Sequence, residues 1–305
     1  MAAVSTTWIG HGSYGCVYTK YKDGLAYKVG SRKRLDTEID VCNYLIEFTK
    51  PHQRTNFVIP IWSDFKELRI LRSHTGCKHP PRLEDGVVDD RFVVGCMPLK
   101  PTDLCQVLHQ QYACSKRSAN IVTQGLKNAI DVLHALDVVH CDLSPRNILL
   151  DAKHIEGKPV EIMKAYVADV GCARSTTTSD GDDEIRLNDE TTTASVRPPE
   201  LMKTQKEQAT GKAWHPYTYK PARMLRAIDI WSFAVLCDMI NQLAYTPGKE
   251  VRWLHGPHNK ETLACYMKRA LNATTLLPSA ECRTAIKIIR RGLVWDPAER
   301  GVLRK

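Results

Sequence analysis

The segment His140-Cys141-Asp142-Leu143-Ser144-Pro145-Arg146-Asn147 sets a carboxylate and an amide five positions apart, just before the apolar run Ile148-Leu149-Leu150. An aspartate so placed can take the proton of an attacking hydroxyl, and an asparagine can hold a hard metal ion. H-x-D-L-x-x-x-N is the spacing of a phosphoryl-transfer loop. Standing alone, the same residues make an ordinary polar loop leading into a strand. What lies on either side decides between the two.

Upstream, Gly10-His11-Gly12-Ser13-Tyr14-Gly15-Cys16-Val17 fits G-x-G-x-x-G-x-V. Glycines let a backbone approach phosphates without Cβ clashes, so that its N–H groups can cover them. A plain hairpin turn gives the same pattern. A dinucleotide site does not fit, because a second strand follows the glycines where that motif needs a helix. Ala26-Tyr27-Lys28 then puts a lysine on the next strand, where it can reach a phosphate. Such a lysine needs a carboxylate to hold it; Glu38 is the first choice, with Asp36 and Asp40 as rivals. Downstream, Ala168-Asp169-Val170-Gly171 offers a second metal-ligating carboxylate, or a strand ending in an Asp-x-Gly turn. Pro198-Pro199-Glu200, Asp229-Ile230-Trp231-Ser232 and Asp296-Pro297-Ala298-Glu299-Arg300 complete the series, and Glu200 and Arg300 can form a buried structural ion pair.

The elements that must position these residues change character along the chain. Thr6 to Gly10, Cys16 to Tyr21 and Leu25 to Val29 read as strands, joined by the glycine-rich turn and by Lys22-Asp23-Gly24. Arg32 to Leu45 reads as a helix whose inner face carries Ile39, Cys42 and Leu45. Further strands fall at Val58 to Trp62 and Arg91 to Cys96, with a loop over Ser73 to Asp90. Beyond Thr102 the period becomes helical, with Ile121, Gly125, Leu126, Ala129, Ile130, Leu133 and Leu136 on one stripe leading into His140. Asp229 to Asn241 reads as a buried helix, and two more helices follow around Thr262 to Ala273 and Ala280 to Val294. Strands first and helices later indicate an α+β chain of two lobes, joined near Gly95 to Pro101. Thr176 to Thr178 and Thr191 to Thr193 bracket the acidic run Asp180 to Glu184, which reads as a mobile loop.

With 305 residues, 43% hydrophobic and 25% charged, the chain can bury a sizeable core as a globular protein. No apolar run approaches the ~20 residues that cross a bilayer, and the first residues lack a secretory signal, so no membrane is expected. The eleven cysteines carry no C-x-x-C pair and read as reduced, intracellular thiols. The net charge of +9 is dispersed, which points to solvated faces or an ATP-attracting groove and to no specific nucleic-acid binding.

Six motifs in this order resemble a eukaryotic-type protein kinase, from about Thr6 to Arg300. The resemblance implies one kinase domain over 1–305, with a small, mainly antiparallel β N-lobe carrying one helix (1–97) and a larger helical C-lobe (98–305). It implies ATP and Mg2+ as cofactors, protein substrates as partners, and a cytoplasmic or nuclear setting. By the resemblance, Asp142 is the catalytic base, and Asn147 and Asp169 hold magnesium. Lys28 holds the phosphates, braced by Glu38. Gly10, His11, Gly12, Ser13, Tyr14, Gly15, Val17 and Ala26 belong to the nucleotide site. Val94 is the gatekeeper, Gly95 to Met97 the adenine-binding hinge, and Asp229 the brace beneath the loop. The compact chain is similar to kinases of large DNA viruses, herpesviruses in particular.

Three positions and one insertion depart from that family. Cys141 replaces the usual Arg that pairs with an activation-segment phosphate, which implies activity without that phosphate. Ser144 replaces a lysine of Ser/Thr kinases, and Arg146 stands where some tyrosine kinases carry an equivalent charge. Thr193, seven residues before Glu200, and the Arg197-Pro198-Pro199-Glu200 run favour Ser/Thr specificity over tyrosine. Val170 replaces Phe as a smaller plug. Asp169 follows Asp142 by 27 residues, so Asp151 to Glu161 reads as an extended hairpin or surface loop.

Overall fold

A computed structural model describes residues 6–11, 16–20, 24–64, 92–110, 113–156, 158–177, 184–187, 191–210 and 216–300. The chain divides into two compact units, one of residues 1–50, 58–100 and 169–171, the other of 51–57, 101–168 and 172–305. The loop read at Ser73 to Asp90 and most of the acidic run after Thr178 lie outside the described residues.

The first unit is a five-stranded antiparallel sheet with one helix. Strands β1 (Thr6–His11), β2 (Cys16–Lys20), β3 (Leu25–Ser31), β4 (Ile61–Asp64) and β5 (Phe92–Pro98) run in the spatial order β1-β2-β3-β5-β4. The strand expected at Val58 begins only at Ile61, because Pro60 has no N–H to give the ladder. Helix α1 (Arg32–Phe48) follows β3 without a connecting loop and buries Leu35, Glu38, Ile39, Cys42 and Leu45. Leu35 and Ile39 pack with Val93 and Trp62 of the sheet. This direct strand-to-helix turn puts an acid of α1 within reach of a lysine on β3.

The second unit is mainly helical. Its elements are β6 (Thr102–Asp103), α2 (Leu104–His109), α3 (Lys116–Ala135), β7 (Val138–Val139), β8 (Ile148–Lys153), β9 (Glu161–Val167), β10 (Arg174–Ser175), β11 (Ile185–Leu187), α4 (Gln205–Ala209), β12 (Tyr217–Tyr219), α5 (Arg226–Tyr245), α6 (Lys260–Ala273) and α7 (Ser279–Gly292). Its centre is α5, buried from Ala227 to Leu243 and packed by α3 and α7. Gly292 allows the closest approach: a Cβ there would lie 2.4 Å from Ala234 Cβ and 2.7 Å from the Ile230 carbonyl.

Contrary to the sequence expectation, one segment, Ala222–Tyr245, is long and apolar enough to span a bilayer. Its apolar window is 94% buried within the protein, and its buried Asp238 is met there by Arg252, Trp253 and Gln242. It is a core helix. The Asp151 to Glu161 stretch is an extended hairpin: β8 and β9 pair antiparallel, and the return is pinned where Ser118 donates to the Val160 carbonyl and accepts from Ile162 N–H.

Candidate active site

In the first unit, Lys28 sits on β3 between Val17 of β2 and Gly95 of β5. Its ammonium lies 2.6 Å from Glu38 Oε2 and 2.9 Å from Asp169 Oδ1. Glu38 wins over its rivals because it alone of the three lies on the buried stripe of α1. Asp36 is exposed and faces Arg32 at 4.0 Å, and Asp40 is exposed too. Burial works against the Lys28 ammonium, yet the two carboxylates outweigh it and hold the lysine above its ordinary pKa. Glu38 is pushed up to about 7, first by burial and further by the Asp169 charge, with Lys28 opposing both. One ammonium therefore serves two carboxylates.

Asp169 adopts φ 60°, a left-handed conformation uncommon for a residue with a side chain, and its carboxylate accepts the Gly171 N–H at 3.4 Å. Ala26 is buried opposite Met97, and Val94 faces Val29 across the β3–β5 ladder. At Gly95 a Cβ would meet Pro60 at 2.8 Å and the Trp62 ring at 2.9 Å, so the strand can lie against that ring only with glycine. Gly10 and His11 end β1, whereas Gly12, Ser13, Tyr14 and Gly15 lie outside the described residues.

In the second unit, Asp142 is held from three directions. Asn147 Nδ2 donates to its carbonyl at 2.8 Å and to Oδ2 at 3.2 Å. Thr193 donates both its backbone N–H, at 2.9 Å, and its hydroxyl, at 2.7 Å, to Oδ1. The Asp142 N–H faces His140 Nδ1 at 3.3 Å, while His140 Nε2 faces the Ala168 carbonyl at 3.1 Å. A neutral imidazole protonated on Nε2 satisfies both contacts.

Beneath the loop, the fully buried Asp229 accepts the N–H groups of His140 at 2.9 Å and Cys141 at 3.0 Å, with His134 Nε2 at 3.0 Å. Turning two successive N–H groups onto one carboxylate accompanies the left-handed φ of 66° at Cys141. His134 is the contributor that pattern reading missed, and Cys141, read there only as a replaced Arg, also donates its N–H to Asp229. The only local signal for His134 is a histidine in the last turn of the helix before the loop. The Cys141 thiol, wholly buried, is pushed well above its ordinary value, first by burial and then by the Asp229 charge. Ser144 is buried, whereas Arg146 is exposed and lies beside Asp103 and Cys105 at the start of α2. Farther along, Glu200 and Arg300 form the bidentate pair expected of them, at 2.7 and 2.6 Å, with Tyr219 donating to Glu200 and the guanidinium stacked 4.9 Å over Trp231.

The first unit thus holds a strand lysine bridging two carboxylates, and the second, by itself, a loop acid held by an amide and a threonine. The protein kinase domain family matches residues 4–304, nearly the whole chain, and the chain belongs to that family. Mitogen-activated protein kinase spk1 of Schizosaccharomyces pombe is 27% identical over 79% of this chain and 54% of its own length. Mitogen-activated protein kinase 12 of Oryza sativa subsp. japonica is 27% identical over 96% of this chain and 47% of its own. Mitogen-activated protein kinase 2 of Pneumocystis carinii is 30% identical over 50% of this chain and 36% of its own. The chain thus spans about half the length of the first two relatives or less of the third, and none of the three is viral.

Proposed function

We propose that this chain transfers the γ-phosphoryl group of Mg-ATP to serine and threonine hydroxyls of proteins. The observation that carries this reading is the pair of bonds from Thr193 to Asp142 Oδ1. They leave the second carboxylate oxygen, already near Asn147, to receive the acceptor's proton, and they set a small side chain beside the acceptor position. The new bond forms between the acceptor oxygen and the γ-phosphorus, the bond to the departing ADP breaks, and the acceptor's proton passes to Asp142. Lys28, braced by Glu38, would hold the α/β-phosphates. Asn147 and Asp169 are hard oxygen donors suited to Mg2+, which when bound neutralises charge on the phosphates. Ala26, Val94 and Gly95 to Met97 would form the adenine contacts.

Arg146 is always charged, and with Ser144 in place of a lysine it would supply the cation beside the transferring group. Arg146→Ala is expected to lower kcat more than it raises KM for ATP, and an unchanged kcat rejects the role. The names of the relatives, all mitogen-activated protein kinases, support protein acceptors. Nine cysteines among the described residues are free thiols, which supports a reducing, intracellular setting.

A scaffold without catalysis is the alternative, but Lys28, Asp142, Asn147 and Asp169 are all present. A small-molecule phosphotransferase is disfavoured by the Glu200–Arg300 pair under the Pro198-Pro199 turn. Labelled Mg-ATP with a protein mixture, followed by phosphoamino-acid analysis, separates the readings. Phosphoserine and phosphothreonine are expected, phosphotyrosine alone would sink the acceptor assignment, and no labelled protein would favour the scaffold.

A further inference from the structure

Cys141 does not merely lack a charge. It is one wall of a buried apolar cluster with Val139, Leu187, Leu201, Tyr219, Leu225 and Ile228, and its thiol donates to the Val139 carbonyl. Leu187 and Tyr219 come from two short strands far apart in sequence. Strand β11 pairs antiparallel with β12, matching Ile185 to Tyr219, Arg186 to Thr218 and Leu187 to Tyr217. Leu187 is 4% exposed and Tyr219 fully buried, and the Tyr219 hydroxyl donates at 2.9 Å to Glu200, itself locked to Arg300. A guanidinium at position 141 would have to be desolvated among these apolar groups, with the Asp229 carboxylate, already taken by two backbone N–H groups, to set against that cost. The cations nearby have partners of another kind: Arg174 donates to the carbonyls of Cys172 and Ala173, Arg197 to Thr192, and Arg226 to Asp137.

We propose that Leu187 is a positioning residue, which by packing with Cys141 and pairing through β11 with β12 forms an apolar latch that holds these two strands against the catalytic loop, where related kinases use a phosphate. The latch rests on the reading of Asp142 as the catalytic base. It acts through position 141, whose N–H shares the Asp229 carboxylate with the neighbouring His140.

The test uses the full chain after phosphatase treatment, as wild type, Leu187→Ser and Leu187→Met, with Leu187→Ala in place of the serine variant if melting shows that variant unfolded. The serine variant is expected to lose about tenfold or more in kcat/KM for the protein acceptor while KM for ATP stays within about twofold, and the methionine variant to recover within about twofold of wild type. Trypsin cleavage after Arg186, normalised to the urea-unfolded chain, is expected to be about tenfold faster in the serine variant. A serine variant equal to wild type in both readouts overturns the latch, and so does loss of wild-type activity on phosphatase treatment. Absence of kinase activity in every form would count against the catalytic reading instead, and the trypsin rates would still decide the latch.

Discussion

The two halves of the chemistry are built on different physical principles. In the first unit Lys28 is fixed by charged hydrogen bonds to the carboxylates of Glu38 and Asp169, which come from a helix ten residues on and from a turn far along the chain. In the second unit Asp142 is fixed by neutral donors, the amide of Asn147 and the N–H and hydroxyl of Thr193, over a backbone clamped by Asp229. A charge-on-charge arrangement responds to proton and metal activity, because each carboxylate competes for one ammonium. A carboxylate held by backbone and hydroxyl donors keeps its geometry as conditions change, and its weak point is the scaffold. The contrast separates a responsive half from a rigid one.

Removing the scaffold of the rigid half has the largest expected effect. Arg300→Ala leaves Glu200 buried without its cation and should cost about 3–5 kcal/mol of unfolding free energy, read by denaturant titration. A loss below about 1 kcal/mol would mean that the second unit does not depend on this pair.

The responsive half is sharpened by pH. The Glu38 carboxyl is faced by Lys28, Asp169 and the thiol of Cys42, and its pKa is raised from 4.5 to about 7. Because folding raises it, the folded chain holds this proton more tightly than the unfolded one, so the ionised pair costs stability as pH climbs from 4.5 to 7. Below about 7 the protonated Glu38 no longer braces Lys28 as an ion. An acid limb in kcat/KM with an apparent pKa near 7 is therefore expected, and Glu38→Gln should lower the plateau and flatten that limb. An unaltered limb in the variant assigns it to another group.

The smallest effects are expected on the activation segment's own hydroxyls. Thr177→Ala and Thr191→Ala should each change turnover by no more than about twofold, as substitutions away from the site do. A larger loss restored by an acidic residue would show that the segment needs a phosphate after all.

Much of this site was legible because its parts are local motifs. Lys28, Asp142, Asn147 and Asp169 follow from spacing, and the helices from their apolar stripes. Choosing Glu38 over Asp36 and Asp40 needed the buried face of α1, which the spacing of Leu35, Ile39 and Cys42 around Glu38 already encodes. The latch was not legible, because strands of three residues carry too little alternation to register and their pairing is non-local. Positive φ at Cys141 has no signature in residue type, and at Asp137 and Asp169 the only one is the weak tolerance of aspartate for that region. Pro60 shortened a strand that hydropathy alone had extended.

The central claim is that Asp142 takes the acceptor's proton, and the most direct measurement is turnover of Mg-ATP onto a protein acceptor by wild type and by Asp142→Ala. A positioned general base is worth about 10² to 10⁴ in rate, so the variant should lose that much kcat while it melts close to wild type and binds ATP with little change. Undiminished turnover in a folded Asp142→Ala chain would contradict the assignment.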